Sequence, residues 1–292
     1  MIKKIIAKLL RLRPDQSVKI PMVDLQYVKI IKDFTVESSI QPTPVTFYYP
    51  LGAEKKKQPV YINLHGGAFI MKNKDMDDPY CRFLANQTGC VIVNIDYVKA
   101  PEYPFPKAIE QCYEVLQWMK MNAEDLNIDS DRIMVGGQSS GGNIATALCL
   151  YLEEKSEKQP LLQVLSYPML DFATPFSKKP EPNKWRARFP QVAHFLNMCY
   201  VPKKEDSKHP LASPVYADVT SQLAPALFLI AEHDAFRPEA EVYATKFKAA
   251  GVNVEDHLFK NCTHAFTHTG PSEKAEEAWH MIASKIKAAA DK

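Results

Sequence analysis

The chain has 292 residues, of which 46% are hydrophobic, so it is long enough to bury the core of one large domain. Its 36 basic and 34 acidic residues give a formal net charge of +2, which excludes recognition of nucleic acid through overall charge. Six of the ten glycines fall in three pairs, at 66–67, 136–137 and 141–142. We expect these pairs where segments of backbone approach closely.

The N-terminal segment 1–13 carries five positive charges and no negative one. It places apolar residues on one helical face: Ile2, Ile5, Ile6, Leu9 and Leu10. Lys8 and Arg11 interrupt any apolar core, so the segment is not a signal peptide. We favour a short helix that packs over the mouth of the functional site or in an oligomer contact such as a homodimer. A membrane-surface helix is the less favoured alternative.

The rest of the chain alternates apolar strands with helices. Strands are predicted at 27–36, 45–49, 59–64, 90–95, 133–135, 161–167, 226–231 and 253–259, and helices at 79–88, 106–122, 190–200, 238–250 and 272–290. Apolar strands that alternate with helices predict an α/β fold, whose mostly parallel sheet is covered on both faces. The proline- and charge-rich stretch 171–215 is too long for an ordinary connection, so we interpret it as an insertion over the functional face.

The six cysteines show neither a C-x-x-C pair nor the spacing of a zinc site, and most lie in apolar runs. They are Cys81, Cys90, Cys112, Cys149, Cys199 and Cys262. Together with the missing secretory signal, this pattern predicts a reducing, cytoplasmic environment.

Gly137-Gln138-Ser139-Ser140-Gly141 matches the G-x-S-x-G nucleophile elbow. It lies between the apolar run Ile133–Val135 and a helical pattern. A tight turn from strand to helix holds the central serine in a strained conformation, and small neighbouring residues let the strand and the helix lie close together. The amide of Ser140 then points to the position where a negative oxygen would form.

A serine nucleophile needs a base and an acid that orients the base. In this class of sheet the acid follows the serine along the chain, and the histidine base comes last. Asp234 comes after the strand 226–231, and His264 comes after the strand 253–259. Glu232 is the alternative acid. His233 and His257 compete as bases, although His257 lies within a strand pattern.

A second glycine cluster, His65-Gly66-Gly67-Ala68, follows an early strand, where this fold class supplies a backbone donor to the oxyanion. The amides of Gly67, Ala68 and Ser140 are the candidates for the oxyanion hole. His264 and His268 are four residues apart, but no glutamate lies between them and Gly270-Pro271 ends any helix. We therefore predict no metal site.

Together these motifs resemble the hormone-sensitive-lipase family of α/β-hydrolases, which includes bacterial carboxylesterases. The similarity covers residues 59–268 and runs through His65-Gly-Gly-Ala-Phe69, Asp96-Tyr97, Ala100-Pro-Glu102, Phe105-Pro106, Gly137-Gln-Ser-Ser-Gly-Gly142, Ser213-Pro214, Asp234 with Arg237, and His264-Ala-Phe266. The resemblance implies one α/β-hydrolase domain over 1–292, with cap elements from about 1–40 and 171–215. It also implies Ser139 as nucleophile, Asp234 and His264 as its partners, and Gly67 and Ala68 in the oxyanion hole.

The sequence departs from the family pattern at three places. Ala68 stands where the family usually has a third glycine, and Gln138 and Ser140 replace the aspartate and alanine that flank the serine. Val98-Lys99 replaces an Arg-Leu pair. Since Ala68 still offers an amide, we expect the oxyanion hole to be retained.

The expected activity is that of a serine carboxylesterase, which hydrolyses short- to medium-chain esters through an acyl-enzyme and uses no metal or organic cofactor. Phe69, Trp185, Phe189 and Phe195 are candidates for an apolar substrate pocket, and packing within the cap is their alternative role. Three other functions remain open: an amide or formamide hydrolase of deacetylase type with the same triad, a membrane-acting lipase, and a non-catalytic ligand receptor.

Overall fold

The chain is described by a computed structural model that covers residues 2–12, 21–52 and 57–292. Its strands are β1 (Ile30–Val36), β2 (Thr43–Tyr49), β3 (Gln58–Leu64), β4 (Val91–Ile95), β5 (Ile128–Gln138), β6 (Gln163–Ser166), β7 (Ala226–His233) and β8 (Val254–Thr263). They form one sheet in the order β1-β2-β4-β3-β5-β6-β7-β8. The pairings from β4 to β8 are parallel, whereas β1 and β2 join antiparallel. The predicted mostly parallel sheet is confirmed.

Helices cover both faces of this sheet. They are α1 (Ile2–Arg11), α2 (Asp78–Thr88), α3 (Lys107–Met121), α4 (Ser140–Glu154), α5 (Lys184–Arg188), α6 (Pro190–Tyr200), α7 (Arg237–Ala249), α8 (Phe266–Thr269) and α9 (Ser272–Ala290). Successive strand residues point to opposite faces, so Val93 belongs to the core that residues of α3, α4 and α7 share, and Ile92 belongs to the core that residues of α2 and α9 share. The result is a three-layer α/β domain with a core on each side of the sheet.

Several predicted boundaries were wrong. β1 begins at Ile30 rather than at residue 27, β5 begins at Ile128 rather than at 133, and β8 continues to Thr263 rather than ending at 259. The short helices α5 and α8 were not predicted, because four or five residues give too little periodicity. The side chain of Asn183 caps α5 by accepting from the amides of Trp185 and Arg186.

The stretch 171–215 contains α5 and α6 and is tied to the domain by a buried ion pair. Lys179 Nζ lies 2.5 Å from Glu239 Oε2 on α7 and donates to the carbonyl of Asp171. Burial raises the pKa of Glu239 to about 7 although the Lys179 ammonium lowers it. At its other end the stretch joins the main core through Cys199 and Tyr200.

The N-terminal helix lies on the body of the domain. Ala7 is fully buried, Lys3 Nζ donates to the carbonyl of Met198 on α6, and Arg11 bonds the Glu102 carboxylate. Met1 and residues 13–20, which belong to the predicted basic segment and cap, lie outside the described residues. None of the helices in the described ranges is long and apolar enough to cross a membrane.

Candidate active site

Three parallel strands end at one edge of the sheet, and a polar side chain follows each of them directly. Ser139 comes after β5, Asp234 after β7 and His264 after β8. His264 Nε2 lies 2.9 Å from Ser139 Oγ, and His264 Nδ1 lies 2.8 Å from Asp234 Oδ2. The Asp234 side chain is 2% exposed and that of His264 is 17% exposed. The structure therefore brings the predicted nucleophile, base and acid into one hydrogen-bonded line.

The turn at Ser139 has the geometry that a nucleophile elbow requires. Ser139 has φ 55° and ψ −111°, a strained conformation for a residue with a side chain. Its amide donates to the carbonyl of Ser166, and its carbonyl accepts from Asn143, so neighbouring backbone holds the turn. A Cβ atom at Gly141 would lie 1.8 Å from the Leu64 carbonyl oxygen, so only glycine lets α4 pass β3.

Two aromatic rings hold the His264 imidazole in place. The rings of Tyr167 and Phe236 both lie 5.1 Å from the imidazole centroid in edge-to-face geometry. Asp234 Oδ1 accepts from the amide of Phe236 at 3.0 Å, which orients the carboxylate. Sequence reasoning missed both rings, although Phe236 follows the acid by only two residues.

The alternative acid and bases point elsewhere. Glu232 Oε2 accepts from the amide of Asn261 at 2.7 Å, and this hydrogen bond lowers the pKa of its carboxyl. His233 and His257 have side chains that are about half exposed and lie beside Glu232 and Glu255. None of the three reaches Ser139, which leaves Asp234 and His264 as its partners.

The loop after β3 supplies backbone donors. Gly67 has φ 130°, and a Cβ atom there would lie 2.2 Å from the Met71 carbonyl oxygen. Its own carbonyl accepts from Ile70 and Met71, so the loop closes on itself. Within the described chain, the amides of Gly67, Ala68 and Ser140 make no hydrogen bond. They remain available to an oxyanion.

The side chain of His65 supports the same loop from the interior of the domain. The His65 imidazole is fully buried and stacks on Tyr97 at 4.4 Å, while Tyr97 Oη donates to the His65 carbonyl at 2.7 Å. Burial lowers the pKa of His65, and the Lys99 ammonium lowers it further. Its Nδ1 lies 2.6 Å from the Gly66 carbonyl oxygen and its Nε2 lies 3.3 Å from Asp96 Oδ1, so the histidine is a structural part of the loop and does not reach Ser139 as a second base.

Comparison with known proteins agrees with this geometry. A family model described as an alpha/beta hydrolase fold matches residues 61–268. The chain belongs to the α/β-hydrolase fold family. The resemblance to its hormone-sensitive-lipase group is confirmed by the relatives that follow.

The relatives and neighbours of this α/β-hydrolase bear the names of esterases. An arylesterase of Saccharolobus solfataricus is 28% identical over 88% of this chain and 82% of its own. An ethyl acetate hydrolase of Pseudomonas putida is 31% identical over 77% of this chain and 71% of its own. Among solved structures, an esterase of Pyrobaculum calidifontis is 30% identical with a TM-score of 0.87, covering 99% of this chain and 93% of that one.

The departure at Gln138 coincides with a buried polar cluster in this α/β-hydrolase. Asp77 Oδ1 lies 2.8 Å from His268 Nε2, and Asp77 Oδ2 accepts from Asn63 Nδ2 at 2.7 Å. With its amide turned so that the nitrogen donates, Gln138 lies 3.2 Å from Asp77 Oδ2. Gln138 therefore offers an uncharged donor to a carboxylate that is already paired.

His268 is thus committed to Asp77 and not to a metal. The Thr267 hydroxyl lies 3.0 Å from His268 Nδ1 and also bonds Tyr167 Oη. Among the residues that the structure describes, no group of three or more ligand-type side chains is placed to hold a metal ion. Sequence reasoning considered His268 only as a metal ligand and missed its carboxylate partner.

The four aromatic residues predicted for the pocket lie apart from the cavity beside His264. This cavity of about 470 Å³ is bordered by residues of the stretch 171–215, including Asn183 and Arg186. Phe69 is buried and stacks on Tyr200 at 3.6 Å, and Phe195 packs against the core. Trp185 and Phe189 contact each other at the surface. Their role in binding substrate stays a prediction.

Proposed function

We propose that this α/β-hydrolase is a serine carboxylesterase that cleaves short- to medium-chain carboxylic esters through an acyl-enzyme. One observation carries the proposal: the hydrogen-bonded line from Asp234 through His264 to Ser139, in which Asp234 and His264 border the cavity of about 470 Å³. The esterase names of the relatives support it.

In the acylation step, His264 Nε2 takes the proton of Ser139 Oγ as this oxygen attacks the ester carbonyl. The negative oxygen that forms accepts hydrogen bonds from the amides of Gly67, Ala68 and Ser140. The Asp234 carboxylate stabilises the imidazolium and fixes its ring. Collapse of the tetrahedral intermediate breaks the ester bond, and the imidazolium gives its proton to the departing alkoxide, which leaves as an alcohol.

Deacylation repeats these steps with water in place of the serine. His264 accepts a proton from water as its oxygen attacks the acyl carbonyl, and the same amides stabilise the second oxyanion. The imidazolium then returns the proton to Ser139 Oγ as the carboxylic acid is released. Each group ends in its starting state, so this sequence needs no metal or organic cofactor.

A cytoplasmic location forms part of the proposal. All six cysteines are buried thiols, and none of them is paired in a disulfide. Burial raises the pKa of the Cys90 thiol to about 11 and that of the Cys112 thiol to about 12, which keeps both in the unreactive protonated form. Such thiols suit a reducing compartment.

The test measures hydrolysis of p-nitrophenyl esters of increasing acyl length, with an aryl amide of the same acyl group alongside. We expect kcat/KM to be highest for short and medium acyl chains and lower for the amide, because an aryl amine is a poorer leaving group than p-nitrophenolate. Faster cleavage of the amide would favour an amide hydrolase. Hydrolysis of neither class, together with tight binding of a small ligand, would identify a non-catalytic receptor.

A further inference from the structure

Helix α1 packs on the domain with the side that carries Lys3, Ala7 and Arg11. Its sequence would instead predict that the apolar side is buried. Ala7 is fully buried, whereas Ile5, Leu9 and Leu12 are 53%, 60% and 78% exposed. These three side chains lie at the spacing i, i+4, i+7, so they form one apolar stripe. A surface helix ordinarily buries such a stripe. Here the stripe points away from the domain.

Directional hydrogen bonds fix this orientation. On the inner side of α1, Lys3 Nζ donates to the Met198 carbonyl at 3.1 Å. Arg11 Nε donates to the Ile70 carbonyl at 2.8 Å, and Arg11 Nη2 donates to the Ala100 carbonyl at 2.8 Å. Because Lys3 and Arg11 bond carbonyl groups of the domain, a rotation of α1 that buried Leu9 would break these hydrogen bonds. The exposed stripe is thus a property of the docked helix.

The cap carries a second exposed apolar patch. Trp185 on α5, Phe189 between the two helices and Val192 on α6 are exposed, and α6 is the helix to which Lys3 is bonded. Arg186 of α5 borders the cavity that contains His264. Arg11 of α1 borders a cavity of about 890 Å³ that also contains Tyr97, whose hydroxyl contacts the oxyanion loop. Helix α1 is thus bonded to the helix that carries part of the second patch, and the second patch adjoins the cavity that His264 borders.

Charge identifies what covers this face. Helices α1, α5 and α6 contain no aspartate or glutamate. Their exposed cations are Lys4, Lys8, Lys184, Arg186 and Arg188. A second copy of the chain, joined face to face, would oppose these cations to their own equivalents. An anionic lipid surface accepts both the cations and the apolar side chains.

We propose that α1 and the cap helices α5 and α6 form a docking face for membranes that contain anionic phospholipid. The apolar stripe of α1 enters the interfacial region, and the cations contact headgroups. The proposal concerns binding and is tested without turnover, so its failure is distinguishable from failure of the esterase assignment.

The experiment sediments the full-length protein with vesicles of phosphatidylcholine alone or mixed in equal parts with phosphatidylglycerol. We expect strong binding only to the anionic vesicles, and loss of binding as salt is raised. Lys4→Gln with Lys8→Gln lowers partitioning by about 20- to 30-fold. Leu9→Glu with Leu12→Glu lowers it by about 100-fold or more, since apolar insertion is lost and two negative charges are added.

The matched control is Met121→Glu, a substitution at an equally exposed apolar residue (78%) at the end of α3, before the start of β5. It should leave vesicle binding unchanged. All variants should keep the wild-type melting temperature and wild-type hydrolysis of a water-soluble ester. No binding to anionic vesicles, or equal loss in the control, would overturn the proposal. So would light scattering that shows a dimer which Leu9→Glu converts to monomers, because the face would then be a contact between copies.

Discussion

Two histidines that lie four residues apart on the chain each pair with a carboxylate, and the two pairs differ in what surrounds them. His264 and Asp234 sit 2.8 Å apart, with the imidazole partly open to the cavity. His268 and Asp77 are also 2.8 Å apart, but their side chains are 3% and 0% exposed. The same two functional groups at the same distance thus form an open pair at the cavity, His264–Asp234, and a closed pair in the interior, His268–Asp77.

The pairs differ in what the second nitrogen of each imidazole, the one that does not face the carboxylate, contacts. The Nε2 atom of His264 faces Ser139 Oγ, whereas both nitrogens of His268 are used within the protein, by Asp77 and by Thr267. A buried ionisable pair with satisfied partners contributes to the definition of the fold and not to proton transfer. Tyr167 contacts both pairs, with its ring against His264 and its hydroxyl toward His268.

The largest expected effect comes from removing the hydroxyl of Ser139, which His264 of the open pair contacts. Ser139→Ala should lower kcat for an activated ester by about 10⁶-fold, since triad residues act as a unit. The free energy of unfolding should not fall, because the strained turn keeps its backbone bonds. Single-turnover assays and urea titration check this. Turnover near the wild-type level would show that another residue is the nucleophile.

The acid of the open pair comes next. Asp234→Asn should lower kcat by about 10⁴-fold, because an amide at this position favours the wrong tautomer of His264. Glu232→Gln should leave kcat close to wild type, since Glu232 bonds only the amide of Asn261 in this loop. The two variants are compared in one assay. The reverse ranking would make Glu232 the acid.

Matched substitutions separate the two pairs. His264→Gln should abolish turnover and change the free energy of unfolding by about 1 kcal/mol or less, because water reaches this side of the imidazole. His268→Gln should lower the free energy of unfolding by about 2–3 kcal/mol, since the buried Asp77 carboxylate loses a charge-assisted bond. Its folded fraction should keep most of its turnover.

Urea unfolding and active-site titration of both variants provide the measurement. The comparison fails if both substitutions destabilise the protein equally. It also fails if His268→Gln removes activity from protein that is demonstrably folded, because the closed pair would then act in the reaction.

The open pair could be predicted from the sequence and the closed pair could not. Ser139, Asp234 and His264 each follow an apolar strand in a fixed order, and the glycines around the serine mark the turn. Asp77 and His268 are separated by 191 residues, and neither belongs to a motif. Their pairing depends on how α2 and α8 are packed, which periodicity does not specify.

Some features of the fold could likewise be predicted from the sequence, and others could not. The sheet, its mostly parallel order and the helices α6 and α9 follow from apolar runs and their spacing. The stacking of Phe69 on Tyr200 could not be predicted, because residue type gives no information on the direction of a side chain. Similarly, the apolar stripe of α1 was visible in the sequence, but the hydrogen bonds of Lys3 and Arg11 decide which way it faces.

The smallest effect concerns the residue that touches both pairs. Burial raises the pKa of Tyr167 far above its usual range, so its hydroxyl is a neutral donor and acceptor in the closed cluster. Tyr167→Phe should cost about 1 kcal/mol of stability, because His268 and Thr267 still bond each other. It should leave kcat within about twofold of wild type, since the ring that contacts His264 is kept. Tyr167→Ala is the contrasting variant, and urea titration and steady-state kinetics of the two measure the difference. If the phenylalanine variant lost as much kcat as the alanine variant, the hydroxyl would couple the closed pair to catalysis, and the separation between the two pairs would be wrong.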